Sequence, residues 1–373
     1  MIFLTENSIE VLVETLRKQR VTKKIVAAEG TIRKRISRAG GTPIIQGDIA
    51  HFFFDLDSDA DIRIVGDWNK WNGEADRLER IHPKSSLYYY QRTFPIDARL
   101  SYRLSIDGNM SINDPNNPHS LQEVFGTNTY LRMPGYRGVP YIKDPLVDVA
   151  CGKIIEFNVK GTTDIALRTV HAYIPNGLKM RGAIRFLYVN DGTQTLHIGK
   201  FVNVLDNMYH NEPLTPKTIV VFVPPVHRHE EYMMNRKFSR WFATSLVRQV
   251  EKKLRATSKP MLRTVHGASL GALCAMHIGL YHSNVFHNVA AQSPSFWIED
   301  YEMVKQVAAK RKPPLRIYMQ TGTINDALDG SRAMLGILEE KGYDVTYRES
   351  NESHNWANWS ARYAEIIRWS CAA

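Results

Sequence analysis

The residue pattern predicts an α/β domain with a mostly parallel sheet, preceded by a small all-β sandwich. Three observations carry that expectation. The early chain holds short strands punctuated by turn residues, a Pro- and Gly-rich break follows, and beyond it apolar strands alternate with helical periodicity. Residues 1–45 read as an N-terminal helical segment. Its basic clusters, from Arg17 through Lys24 and again at Arg33 to Arg35, fall in a stretch that reads as a short amphipathic helix followed by loop, with the charges on a solvated face. Residues 46–135 form the predicted sandwich, because 49–56, 61–67, 87–94 and 99–107 are rich in β-branched and aromatic residues. Asp107-Gly108 is a hairpin turn signal, and Asp114-Pro115-Asn116-Asn117-Pro118 cannot continue a strand ladder.

Residues 136–152 read as a linker containing Gly138, Pro140 and Pro145, just after Pro134 and Gly135. From 153 to 373 the pattern changes. Strands are expected at 154–159, 169–174, 184–189, 218–223, 263–266, 285–290, 315–320 and 344–348. Helical stretches at 237–254, 270–281 and 330–341 fall between several of them, which predicts a parallel sheet covered on both faces.

Composition narrows the class. A chain of 373 residues, 43% apolar and 23% charged, suits a soluble globular protein of two domains. No run approaches the roughly 18 consecutive apolar residues of a membrane span. Residues 1–10 carry only acidic charge where a secretory signal would place Lys or Arg, so the expectation is a cytoplasmic protein with no membrane partner. Cys151, Cys274 and Cys371 are widely spaced and fit no metal-ligand pattern, which suits a reducing compartment without disulfides or zinc. The net charge of +10 favours an anionic ligand. Its basic residues are scattered and form no nucleic-acid recognition motif, so nucleic acid is not the expected partner.

Gly267-Ala268-Ser269-Leu270-Gly271 is a G-x-S-x-G motif between an apolar strand and a run of good helix formers. That context is the nucleophile elbow of the α/β-hydrolase fold. A serine hydroxyl is a weak nucleophile at neutral pH, so it must project from a sharp turn toward a base. The same turn sets the Leu270 amide at a helix N-terminus, where the backbone dipole favours a developing oxyanion. The loop after 184–189 offers the second amide, from Gly192 or Thr193.

Thirteen histidines compete for the base, but in this fold the chain order is serine, acid, histidine. Of those after Ser269, His277, His282 and His287 are too close in sequence to return over it. His354 follows the last expected strand and precedes a C-terminal helix, where the base belongs. Asp326, after the strand at 315–320, is the expected acid. Asp329 competes with it, and helix capping is the ordinary role of either.

At these residues the chain resembles the enterochelin esterase family, within the wider group of esterases related to esterase D and the feruloyl esterases. The resemblance runs through residues 222–235 (FVPPVHRHEEYMMN), GASLG, residues 289–297 (VAAQSPSFW), residues 322–326 and Ser353-His354-Asn355-Trp356-Ala357-Asn358-Trp359. It implies that Arg228, Glu231, Tyr232 and Asn235 lie near the active-site mouth, either contacting substrate or bracing a loop. Val65-Gly66-Asp67-Trp68-Asn69-Lys70-Trp71-Asn72 resembles the immunoglobulin-like early-set domain that precedes the hydrolase in that family. Trp68 and Trp71 then either fill the sandwich core or stack on sugar rings. Glu352 and Ser353 stand where family members commonly carry two glycines, and some relatives lack a clear acid.

The resemblance implies a serine esterase that needs no cofactor and takes a small-molecule ester, an anionic ferric catechol siderophore of the enterobactin kind. A carbohydrate esterase removing feruloyl or acetyl groups, with a glycan-binding N-terminal domain, is the rival. A third alternative is a non-catalytic binding protein on a hydrolase scaffold, against which stand Ser269 and His354.

Overall fold

The N-terminal helices show how short apolar stripes organise a small unit. In the computed structural model, which describes residues 8–372 except 57, 58, 73, 75, 109, 124 and 125, helix Ile9–Arg17 begins at Ser8. The Ser8 hydroxyl accepts from the Val11 amide at 3.3 Å, the usual way to satisfy a free helix-start donor. Where the sequence reads as a loop, a second helix, Thr22–Arg38, follows. Ile25 and Ile32 lie seven residues apart and are buried on one stripe, which stabilises a helix that propensity alone leaves marginal. That stripe, with Ile9, Val13 and Leu16, packs against Phe53, Leu87 and Tyr89.

The chain divides into two units, Met1–Arg137 with Asn351–Ser353, and Gly138–Ser350 with His354–Ala373. The first unit carries strands β1 (Ile44–Gln46), β2 (Ile49–Asp55), β3 (Ile62–Gly66), β4 (Glu79–Arg80), β5 (Leu87–Thr93), β6 (Arg99–Ile106), β7 (Met110–Ile112), β8 (Ser120–Glu123) and β9 (Gly126–Arg132). They form two antiparallel sheets, ordered β1-β2-β5-β4 and β3-β6-β9-β8, with β7 beside β6. Phe52 of one sheet meets Tyr102 of the other edge-on at 5.3 Å. Trp68 is 8% exposed, packs edge-on against Phe94 and donates its indole N–H to Asp76, so it fills core. Trp71 is 40% exposed.

The second unit is built on an eight-stranded sheet, ordered β10-β11-β13-β12-β14-β15-β16-β17. Its strands are β10 (Lys153–Val159), β11 (Arg168–Ile174), β12 (Arg185–Asn190), β13 (Thr218–Val223), β14 (Arg263–Ala268), β15 (Asn288–Gln292), β16 (Arg316–Gly322) and β17 (Asp344–Ser350). From β13 to β17 all neighbours run parallel, while β10 and β11 pair antiparallel at the edge. Every residue of β13 is buried, as expected of a strand covered on both faces. Helix Leu270–Tyr281 is buried along all but its last residue, which explains its lack of a polar face.

Two further elements depart from the sequence reading. The helical stretch expected at 237–254 is interrupted: helices Arg236–Trp241 and Val247–Leu254 flank a π-helical turn, Phe242–Leu246. The wider turn lets Phe242 and Leu246 both bury beside Phe238, a tertiary demand that periodicity does not register. The strand expected at 285–290 is β15, because Phe286 is taken into the core before the ladder begins and Asn288 ties the strand start to the Met261 carbonyl at 2.8 Å. Among the described residues no helix is long and apolar enough to cross a membrane.

The sheet order places the chemistry. β12 lies between β13 and β14, so the chain switches direction across the sheet there, and the loops leaving β12 and β14 open at one edge. Such switch points at the carboxyl ends of parallel strands form crevices.

Candidate active site

The turn at Ser269 is tight at both of its ends, Gly267 and Gly271. A Cβ on Gly267 would stand 2.2 Å from the Gly271 carbonyl oxygen, and one on Gly271 would stand 2.8 Å from the Asp191 carboxylate. Ser269 itself adopts φ 57 and ψ −124, a strained backbone for a residue with a side chain. Its amide donates to the Gln292 carbonyl at 2.9 Å, which anchors the turn to β15. The hydroxyl thus projects, half-buried, beyond the end of β14.

His354 stands beside it, with Nε2 2.8 Å from Ser269 Oγ and Nδ1 2.6 Å from Asp326 Oδ1. The Asp326 side chain is wholly buried. Burial pushes its carboxyl up, but bonds from His354, the Ser293 hydroxyl and the Gly322 amide outweigh it and hold the group below the usual carboxylate range. An ionised carboxylate only accepts, so Nδ1 carries the proton and Nε2 is left to accept from the serine. The His354 ring meets Trp359 edge-on at 5.2 Å, and Trp359 meets Trp356 at 5.0 Å, which limits the imidazole's freedom. Asp329 lies in the first turn of helix Leu328–Glu340.

Leu270 begins helix Leu270–Tyr281 and Gly192 begins helix Gly192–His197; neither helix start has a side-chain cap. Gly192 was expected in a loop. It opens a helix instead, whose first turn is closed by the Thr195 amide donating to the Asp191 carbonyl at 2.9 Å, and its close approach to β13, where a Cβ would come within 2.4 Å of the Val223 nitrogen, admits only glycine. Asn190 joins the two segments by donating to the Gly271 carbonyl at 2.8 Å.

The four residues near 228–235 divide. Glu231 accepts both Arg168 guanidinium nitrogens at 2.8 Å, with both side chains almost fully buried. The Tyr232 hydroxyl accepts from the Asp191 amide at 2.9 Å inside the core. Asn235 caps helix Arg236–Trp241 through the amides of Lys237 and Phe238. These three brace the segment, and Glu231 and Tyr232 are buried within it. Arg228 forks onto Asp191 at 2.7 and 2.9 Å and keeps 44% of its side chain exposed.

Sequence reasoning missed several neighbours. Ser295 Oγ lies 3.4 Å from Ser269 Oγ, Ser293 donates to Asp326 at 2.6 Å, and Asp191 links Arg228 to the Gly192 helix start. For Ser293 and Ser295 the signal lay in the segment 289–297, whose polar residues sit beside apolar ones, but nothing local says which of them point inward.

A family model described as "Putative esterase" matches residues 166–369. The uncharacterized protein YjcH of Bacillus subtilis strain 168 is 24% identical over 209 residues, which are 51% of this chain and 86% of that protein. Among solved structures, the ferric enterobactin esterase of Salmonella typhimurium superposes with a TM-score of 0.75 at 17% identity, covering 89% of this chain and 96% of that one. A ferulic acid esterase gives a TM-score of 0.52 at 16% identity, covering 59% and 98%. At such identities the structural likenesses speak for a shared fold, that of an α/β hydrolase. The family match spans more than half of the chain, and on that ground this protein belongs to the esterase family and is a carboxylic ester hydrolase.

Proposed function

We propose that this protein is a serine esterase that opens the ester linkages of a ferric catechol siderophore of the enterobactin kind. The observation that carries the mechanism is His354 set between Ser269 Oγ at 2.8 Å and Asp326 Oδ1 at 2.6 Å. Ser269 attacks the ester carbonyl as His354 Nε2 takes its proton, and Asp326 stabilises the imidazolium. The Leu270 and Gly192 amides receive the oxyanion. His354 then protonates the leaving alcohol, and a water that it activates hydrolyses the acyl-enzyme. The exposed edge of Arg228 and the net charge of +10 favour an anionic substrate. The likeness to the ferric enterobactin esterase is consistent with this substrate. We read the N-terminal β unit as an immunoglobulin-like early-set sandwich, supported by its two antiparallel sheets meeting through Phe52 and Tyr102.

A second reading, an esterase of feruloylated carbohydrate, is favoured by the likeness to a ferulic acid esterase and by the exposed Trp71. Turnover of ferric enterobactin, feruloylated sugar and short p-nitrophenyl esters separates the two. Ser269→Ala is expected to lower kcat on the best of these on the order of 10⁶-fold and to abolish fluorophosphonate labelling. Undiminished turnover in that variant, or a wild-type protein inert to all three esters and to the label, removes the mechanism.

A further inference from the structure

Asp326 is held by more than the histidine it faces. Its Oδ1 accepts from the Ala327 amide at 2.7 Å and pairs with His354. Its Oδ2 accepts from the Ser293 hydroxyl at 2.6 Å, the Gly322 amide at 2.6 Å and Asn358 Nδ2 at 3.3 Å. Ser293 is wholly buried and is itself aimed: the Trp359 indole N–H donates to Ser293 Oγ at 2.9 Å. A hydroxyl that accepts from the indole has one proton to give, and the short contact to Oδ2 receives it. The backbone serves this placement, since Ser293 adopts φ 43 and its amide donates to the Gln320 carbonyl at 2.6 Å. A left-handed conformation is unfavourable for serine and persists only where its surroundings enforce it.

The partners of that contact are fixed in turn. Gln292 Nε2 donates to the Trp359 carbonyl at 3.0 Å, and Gln320 Nε2 donates to Asn358 Oδ1 at 2.8 Å. Buried amides of β15 and β16 therefore hold helix Trp356–Ser360, which carries both Trp359 and Asn358. A buried network satisfied in this way is rigid.

We propose that Ser293 and Trp359 are positioning residues for ester hydrolysis: the chain from indole to hydroxyl to carboxylate aims Asp326 at His354 and draws negative charge toward Oδ2. The proposal rests on the reading of Ser269, His354 and Asp326 as the reacting groups. Among the described residues that bond Asp326, His354 is the one with an ionisable side chain; Ser293, Asn358 and the amides of Gly322 and Ala327 are neutral. Removing the Ser293 hydroxyl leaves more charge facing the imidazole. The Asp326–His354 pair then binds a proton more tightly, and the acidic limb of kcat/KM moves to higher pH.

The test uses the full chain and p-nitrophenyl acetate across pH. Ser293→Ala is expected to lower kcat about tenfold, the loss typical of a hydrogen bond to a charged group, with KM unchanged and the acidic limb shifted up. Ser293→Gly takes the positive φ without strain, so a matching shift there assigns the effect to the hydroxyl rather than the backbone. Trp359→Phe keeps a ring beside His354 and removes the N–H; a smaller loss in the same direction is expected, and the double variant should be no worse than Ser293→Ala. An unmoved limb in both Ser293 variants, or a Trp359→Phe loss that adds in full to that of Ser293→Ala, overturns the proposal. Ser269→Ala, measured alongside, keeps the two readings apart: retained activity there sinks the nucleophile assignment, whereas loss there with an unmoved limb sinks only the role of Ser293.

Discussion

The turn at Ser269 and the segment leading to Asn235 both follow buried strands of one sheet, yet they use their residues in opposite ways. At Ser269 the small residues are dictated by space: Gly267 and Gly271 stand where a Cβ would strike backbone or carboxylate. Between 228 and 235 four residues look like a binding surface, and two of them, Glu231 and Tyr232, are buried. Glu231 neutralises a buried Arg168, Tyr232 fixes the Asp191 turn and Asn235 caps a helix. Arg168 also lies over the faces of Trp241 and Phe238, at 4.4 and 5.3 Å, so the ion pair is part of the aromatic core. Charged residues in such a segment serve packing where burial and partner assign them to it.

The contrast predicts different failures. On the reactive side, Asp326→Asn is expected to lower kcat about 10⁴-fold, because the imidazole is left in the wrong tautomer. Activity within tenfold of the parent would break the distinction. On the bracing side, Glu231→Gln is expected to lose about 3–5 kcal/mol in urea unfolding, since Arg168 is left buried and uncompensated. Near-unchanged stability would mean that the ion pair is not a brace. Gly267→Ala should lower stability by about 1–3 kcal/mol as the turn shifts to accommodate a methyl group, and activity should fall with it because Ser269 moves. Circular dichroism melts paired with fluorophosphonate labelling rates read both effects. The smallest change is Asn235→Ala, about 1 kcal/mol of lost helix capping with KM unaltered. A raised KM at full stability would return Asn235 to the substrate surface.

How much of this was legible depended on the range of the forces involved. Helix Leu270–Tyr281 coincides with the stretch expected from sequence, because a glycine turn and an uninterrupted run of helix formers specify it locally. The second N-terminal helix was missed, since its stability comes from Ile25 and Ile32 packing on Phe53 and Tyr89 of a distant sheet. Strands β1, β4 and β8 escaped notice for a related reason: they are short, partly exposed and exist through pairing with longer neighbours, and β9, though longer, is mostly half-exposed and depends on pairing with β6. The exposed and buried members of the Trp68 and Trp71 pair could not be told apart from composition, and Asp76, Phe94 and Phe52 decide it.

Sequence alone marked Ser269 and its turn, because a tight bend is a steric problem solved within five adjacent residues, whereas the expectation that an acid and a histidine follow it came from the chain order of the fold. The tertiary structure decided which carboxylate faces the imidazole and how it is held. Asp326 meets His354, and Ser293 and Trp359 reach Asp326, only through the parallel ordering of β14 to β17, which brings loops from separate parts of the chain to one edge. Hydrogen bonds of a few ångströms depend on that ordering and on side-chain rotamers, neither of which is recorded in the spacing of residues along the chain.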